Sequence, residues 1–127
     1  KLNTPLNSLP SPKEEYMLRL VSIARIILGP NMNLQVPPNI TVGDFGEYIN
    51  AGINDWGGVS PVTIDHVNPE APWPQLKKLT YVTEKHGYEL MPRLPIYGEY
   101  LNQTETFVSR AMNDKIRNIS INSVEQK

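Results

Sequence analysis

The chain has 127 residues, of which 39% are hydrophobic and 20% charged, with a formal net charge of -1. That size suits one domain with a real core, and the balanced charge argues against a nucleic-acid module with its basic stripe. No polybasic patch or apolar run near the ~20 residues of a membrane span occurs, and cysteine is absent, which excludes disulfides, thiolate metal sites and a thiol nucleophile.

The opening "KLNTPLNSLPSP" has no apolar core of a signal peptide and no initiating Met, so it reads as a chain entered mid-sequence, in a cytoplasmic setting. Three N-x-S/T tripeptides, at Asn39, Asn102 and Asn118, are read as chance occurrences on that basis. A first helix is predicted from Ser11 as cap, Pro12 as first residue and Glu14 completing an S-x-x-E box. Met17, Leu20, Val21, Ala24, Ile27 and Leu28 supply its apolar face, and Gly29-Pro30 its stop. Residues 33–36, "NLQV", form a strand candidate closed by Pro37 and Pro38. A second helix is expected from Thr41, with Asp44 in its first turn, a face of Val42, Phe45, Tyr48 and Ile49, and an end at Gly52.

Residues 53–56, "INDW", are the second strand candidate. A polar, proline-punctuated loop follows to Pro74, which opens a third helix carrying Leu76, Leu79 and Val82 and ending before Gly87. "YELMPRLPIY" is expected to be extended, because Pro92 and Pro95 suit neither a helix interior nor a central strand. A last helix over 104–117 buries Phe107, Val108, Ala111 and Met112, and residues 118–127 form a polar tail. Alternating helices and strands argue for parallel pairing with crossover helices. Two or three short strands leave unpaired edges, so the expectation is an α/β chain forming the C-terminal half of a (β/α)8 barrel. That half-barrel would span residues 1–117.

In such a barrel the strand C-termini form the working face. Asn33 and Gln35 share one face of the first strand; they either orient a polar substrate or hydrogen-bond within the protein. Asn54, Asp55 and Trp56 arrive at the same mouth. Asp55 binds a sugar-type hydroxyl or a ring N–H, or else caps the next turn; Trp56 stacks on a planar ring, or else fills the core. Gly57-Gly58 permits positive φ and close approach, with no phosphate-loop motif beside it. Ser60, Thr63, Asp65 and His66 are the remaining polar candidates. Asp65 beside His66 suggests acid–base chemistry, against a local turn and a solvent-facing imidazole. His86, near a helix end, is read as structural. No metal-ligand spacing is present.

The loop "INDWGGVSPVTIDHVNPEAPWP", with "ARIILGPNMNLQVPPNIT" before it, resembles the CofG-type subunit family of FO synthase, in the radical S-adenosylmethionine (radical SAM) superfamily. The likeness runs from "KLNTP" through "MPRLPIYGEYL". It implies a barrel enzyme, a lyase that closes the deazaflavin ring of coenzyme F-420 from an adduct of tyrosine and a ribitylaminouracil. S-adenosylmethionine and a four-iron four-sulfur cluster on a C-x-x-x-C-x-x-C motif are its implied cofactors, with a CofH-type subunit or domain as its partner. With no cysteine, the chain departs from that pattern; the motif is expected in an N-terminal barrel half preceding Lys1, leaving this portion inactive alone. The resemblance places Asn33, Gln35, Asn54, Asp55, Trp56, Gly57, Gly58, Asp65 and His66 around a small-molecule substrate. Two alternatives stand beside it. One is a relative of the CofH or futalosine type, which differs at Trp56 and lacks "DHVNPEAPWP". The other is a free-standing half-barrel binding or assembly module that pairs with a copy of itself. On either view the isolated chain is expected to self-associate, with no nucleic-acid or membrane partner.

Overall fold

The computed structural model describes residues 4–5, 7–60, 62–101 and 103–124; Pro61, Asn102 and the last three residues of the expected tail lie outside them. Two compact units divide the chain, Lys1–Leu90 and Met91–Lys127.

In the first unit, α1 (Glu14–Leu28) begins two residues later than the sequence suggests. Lys13 is its N-cap and gives no side-chain cap bond, so the expected box at Ser11 is not formed. Glu14 turns outward from the helix instead, and its Oε1 accepts the Asp44 N–H at 2.8 Å. That bond ties α1 to the start of α2 (Phe45–Asn50). Asp44 caps α2 by accepting the Gly46 N–H at 2.8 Å, which satisfies one of the free donors at a helix start. α3 (Leu76–Lys85) follows the long loop, with Leu79 and Thr83 facing inward.

Val21, Tyr48, Ile53, Trp56 and Leu79 form the core, with Met17, Leu18, Leu34, Val36, Phe45, Ile49 and Leu90 packed around it. Tyr48 and Leu79 are each only 1% exposed. The Tyr48 hydroxyl reaches back to the Val42 carbonyl at 3.0 Å. Burial, with the Glu14 carboxylate adding to it, raises the pKa of that phenol. The core therefore sits where three helices meet the two segments 33–36 and 53–56.

Those segments overturn the expected α/β half-barrel. Among the described residues there is no strand and no sheet, only one isolated parallel bridge between Gln35 and Asp55. Val36 N–H donates to Asp55 O at 3.2 Å and Asn54 N–H to Leu34 O at 3.3 Å. The ladder cannot lengthen. Pro37 has no N–H to continue it, and after Asp55 the chain turns into Gly57, whose φ is +73°. Leu34 and Val36 pack inward while Gln35 is exposed, so the period of two is real even where the sheet is not. Helices dominate because they alone satisfy most backbone groups locally.

The face of α1 also differs from the reading by spacing. Val21 is buried and Met17 and Leu18 are half-buried, whereas Leu20, Ile27 and Leu28 are exposed. The helix carries apolar residues on both sides, so spacing alone does not choose the inward one.

Among its described residues the second unit holds three helices, α4 (Gly98–Leu101), α5 (Thr104–Phe107) and α6 (Arg110–Val124). A single helix over 104–117 is thus replaced by a short turn of helix, a break at Ser109 and a long one. Tyr100 and Phe107 meet edge to face, with ring centroids 5.0 Å apart. Residues 88–94 are irregular, as the prolines require. No helix of the described residues is long and apolar enough to cross a membrane.

Candidate functional site

The polar residues of the two paired segments are organised from α1. Arg25, in the last turn of that helix, projects its guanidinium across the helix end. Its Nε donates to Gly52 O at 2.7 Å, and its Nη1 to Gly29 O and to Met32 O, each at 2.7 Å. Its Nη2 reaches Asn54 Oδ1 at 3.4 Å. One planar fork thereby holds the end of α1, the turn leading to residue 33 and the turn leaving α2. Gly52 is required there: its φ is +106°, and a Cβ would lie 2.7 Å from the Arg25 Cγ.

Asn54 continues the tie. Its Oδ1 accepts Leu34 N–H at 2.8 Å, and its Nδ2 donates to Asn33 Oδ1 at 3.2 Å. The two asparagines and Leu34 therefore act as a side-chain extension of the short backbone pairing. Beyond them stands the bridge pair, Gln35 and Asp55. Bridge partners send their side chains to the same face, so an amide and a carboxylate emerge side by side. Asp55 also fixes the exit of its segment, because its Oδ1 accepts Gly57 N–H at 2.6 Å. Asp55 thus caps the local turn, as one of its two readings has it, and lies beside a polar neighbour. At Gly57 a Cβ would approach Gln35 Oε1 to 3.3 Å, while Gly58 faces open space.

Trp56 is placed apart from this face. It is 7% exposed, packs edge to face on Phe45 at 5.8 Å, and its Nε1–H donates to Thr83 Oγ1 at 3.3 Å. The indole fills the core between segment 53–56 and α3.

Asp65 gathers a second, separate knot. Its Oδ1 accepts Val67 N–H at 2.8 Å and Asn68 N–H at 3.1 Å. Its Oδ2 accepts Asn68 Nδ2 at 3.0 Å and Asn39 Nδ2 at 2.8 Å. Asn39 also donates to Ala71 O at 3.2 Å, so it ties the loop after segment 33–36 to the proline-rich loop. The carboxyl is held down to about 2 by the Asn68 side chain first and by the Asn68 backbone N–H next. Its partners there are side-chain amides and backbone N–H groups, and the neighbouring His66 is exposed. Ser60 is likewise spent on its own turn, its Oγ meeting Thr63 N at 3.0 Å and Thr63 Oγ1 at 2.7 Å. His86 contacts the Val82 carbonyl through Nδ1 at 2.8 Å, a helix-end role.

Four residues that organise these clusters escape sequence reasoning: Arg25, Asn39, Asn68 and Thr83. Arg25 is the one with a readable signal, a cation in the last helical turn directly before Gly29. Chemically, the Gln35–Asp55 face carries an amide, which donates and accepts hydrogen bonds, beside a carboxylate, which accepts them. An iron–sulfur cluster does not fit this chain. Such clusters take thiolate ligands, the sequence has no cysteine, and no group of three His, Asp or Glu gathers among the described residues.

No family model and no solved structure matches the chain. Among curated proteins, the FO synthase of Streptomyces avermitilis is 41% identical over 117 residues, covering 92% of this chain and 14% of that protein. The 7,8-didemethyl-8-hydroxy-5-deazariboflavin synthase of Methanopyrus kandleri is 48% identical over 103 residues, covering 81% of this chain and 30% of that protein. Its counterpart from Methanococcus aeolicus is 41% identical over 117 residues, covering 92% and 32%. The chain spans about a third or less of the length of these relatives. At these identities it is a homologue of one part of FO synthase, the 7,8-didemethyl-8-hydroxy-5-deazariboflavin synthase.

Proposed function

We propose that this chain provides a substrate-facing portion of an FO synthase-type enzyme. The observation that carries the reading is the bridge between Gln35 and Asp55, which sets an amide beside a carboxylate on a face braced by Arg25 and Asn54. A polyhydroxylated, nitrogen-rich ligand needs such paired donors and acceptors, and a tyrosine–ribitylaminouracil adduct is a ligand of that kind. Asn33, Asn54 and the Gly57-Gly58 turn border the same face. The loop of Asp65 and His66 is a further contact region in this reading.

The reaction proposed for the whole enzyme is the ring closure that gives the deazaflavin chromophore of coenzyme F-420, a radical SAM lyase activity. With no thiolate to hold a cluster, this chain starts no radical; S-adenosylmethionine and the iron–sulfur cluster belong to polypeptide other than these 127 residues. The isolated chain is accordingly inactive, and its role is to bind and orient in company with the remaining enzyme and a CofH-type partner. The cytoplasm is the setting that goes with this reading.

The test is a replacement. This sequence is exchanged for the homologous segment of the Methanopyrus kandleri synthase, and deazaflavin formation is followed by its fluorescence. A folded hybrid that makes the chromophore supports the proposal; a folded hybrid that binds the cluster yet makes none overturns it.

A further inference from the structure

The two paired segments run parallel, so the chain leaves both at the same end: Pro37 follows Val36, and Gly57 follows Trp56. Four residues after Gln35 and ten after Asp55 these exits are tied together again. Asn39 Nδ2 donates to Asp65 Oδ2 at 2.8 Å and to Ala71 O at 3.2 Å. The Asn39 side of this clasp is the anchored one. Pro38 before it is fully buried, and the Thr41 hydroxyl after it donates to Pro37 O at 2.6 Å. Both amide protons of Asn39 go to the clasp, while its Oδ1 is buried and meets no donor among the described residues. An orientation that leaves a buried acceptor unpaired is held by the bonds on the other side of the group. Asp65 is as fully committed. Its two oxygens accept four N–H groups, from the Val67 and Asn68 backbone and the Asn68 and Asn39 side chains, and a carboxylate offers about four acceptor positions.

We propose that Asn39 and Asp65 are positioning residues for substrate binding: their clasp fixes the proline-rich loop beside the Gln35–Asp55 face before the substrate arrives, and neither side chain touches the substrate. The proposal rests on the substrate-facing reading of that face and assigns how the Asp65 loop serves it, by being placed. A loop ordered in advance costs the ligand nothing to order on binding. Releasing it weakens substrate and transition state alike, so the effect belongs in KM and not in kcat.

The test uses Asn39→Ala, Asp65→Ala and the double variant in the Methanopyrus kandleri hybrid, with deazaflavin formation measured against the concentration of the tyrosine–ribitylaminouracil adduct. Both residues lie outside the core cluster, so folding is expected to survive, and circular dichroism with cluster absorbance reports it. Asn39→Asp keeps the volume but turns an oxygen toward Asp65 Oδ2 and Ala71 O, so it should act as Asn39→Ala does. Each single variant is expected to raise KM at least about fivefold with kcat within about twofold, and to quicken amide exchange at Val67 and Asn68. The double variant should lie within about twofold of the more severe single one, since either change opens the same clasp. KM increases that multiply in the double variant mark two independent contacts and overturn the proposal. So does a parental KM in both Asn39 variants. Gln35→Ala and Asp55→Asn in the same hybrid separate the two claims. Where these lower turnover and the clasp variants leave KM unchanged, the positioning role alone fails; where none has an effect, the substrate-facing reading fails with it.

Discussion

The Trp56 indole donates its N–H to the Thr83 hydroxyl at 3.3 Å, and through that bond segment 53–56 is fastened to α3 inside the core. Both side chains are buried, so the donor has no water to turn to. Thr83→Val should cost about 1–3 kcal/mol, because it leaves a buried N–H unpaired while keeping the side-chain volume. Trp56→Ala should cost about 3–5 kcal/mol by opening a cavity. Urea unfolding followed by circular dichroism measures both; a Thr83→Val protein as stable as the parent would contradict the assignment.

Arg25 should be irreplaceable by lysine. A single ammonium cannot reach Gly52 O, Gly29 O, Met32 O and Asn54 Oδ1 in the geometry of a planar fork. Arg25→Lys is expected to lose about 1.5–3 kcal/mol and to speed amide exchange at Leu34. Unchanged exchange at Leu34 would show that Asn54 holds the segment without help.

The two adjacent glycines should behave differently. Gly57 has φ +73° and a tight approach to Gln35 Oε1, so Gly57→Ala costs about 1–2 kcal/mol in backbone strain alone. Gly58 faces open space at an ordinary φ, and Gly58→Ala should be close to neutral. Paired thermal unfolding curves distinguish the positions; equal shifts would remove the strain argument.

Asp65 makes the proline-rich loop sensitive to acid. Its folded pKa is lowered from 3.8 to about 2, so the carboxylate's stabilising bonds are fully present above about pH 4 and lost as pH falls toward 2. The Nδ2 protons of Asn39 and Asn68 should lose protection over that window, ahead of the core amides. A carboxyl carbon titration centred near the ordinary value would refute the assigned hydrogen bonds.

Much of this organisation is legible in the sequence, though not at the level of sheet architecture. Gly29, Gly52 and Gly87 do close helices, and Leu34/Val36 against Gln35 do alternate, because both patterns depend on local sterics and period. The half-barrel is not there to be read. Alternation of helices with short apolar segments predicts parallel neighbours, yet Pro37 and the turn at Asp55 restrict that pairing to one bridge. α1 misled for a different reason: it is apolar on two sides, and only packing selects Met17, Leu18 and Val21 as the inner one. Trp56 and Asp65 show the limit for site residues. A Trp at a segment end and an Asp beside a His carry the same letters whether they meet ligand or each completes the fold, and long-range partners such as Thr83 and Asn39 decide which bonds they make.

The most direct test of the proposed role alters Asp55 and Gln35 in turn within the Methanopyrus kandleri hybrid. Asp55→Asn keeps an oxygen for the Gly57 N–H and removes only the charge, and Gln35→Ala removes its bridge neighbour's amide. Deazaflavin formation per folded molecule should fall at least about tenfold in each, with stability within about 1 kcal/mol of the parent. Undiminished turnover in both variants would contradict the claim that this face meets the substrate.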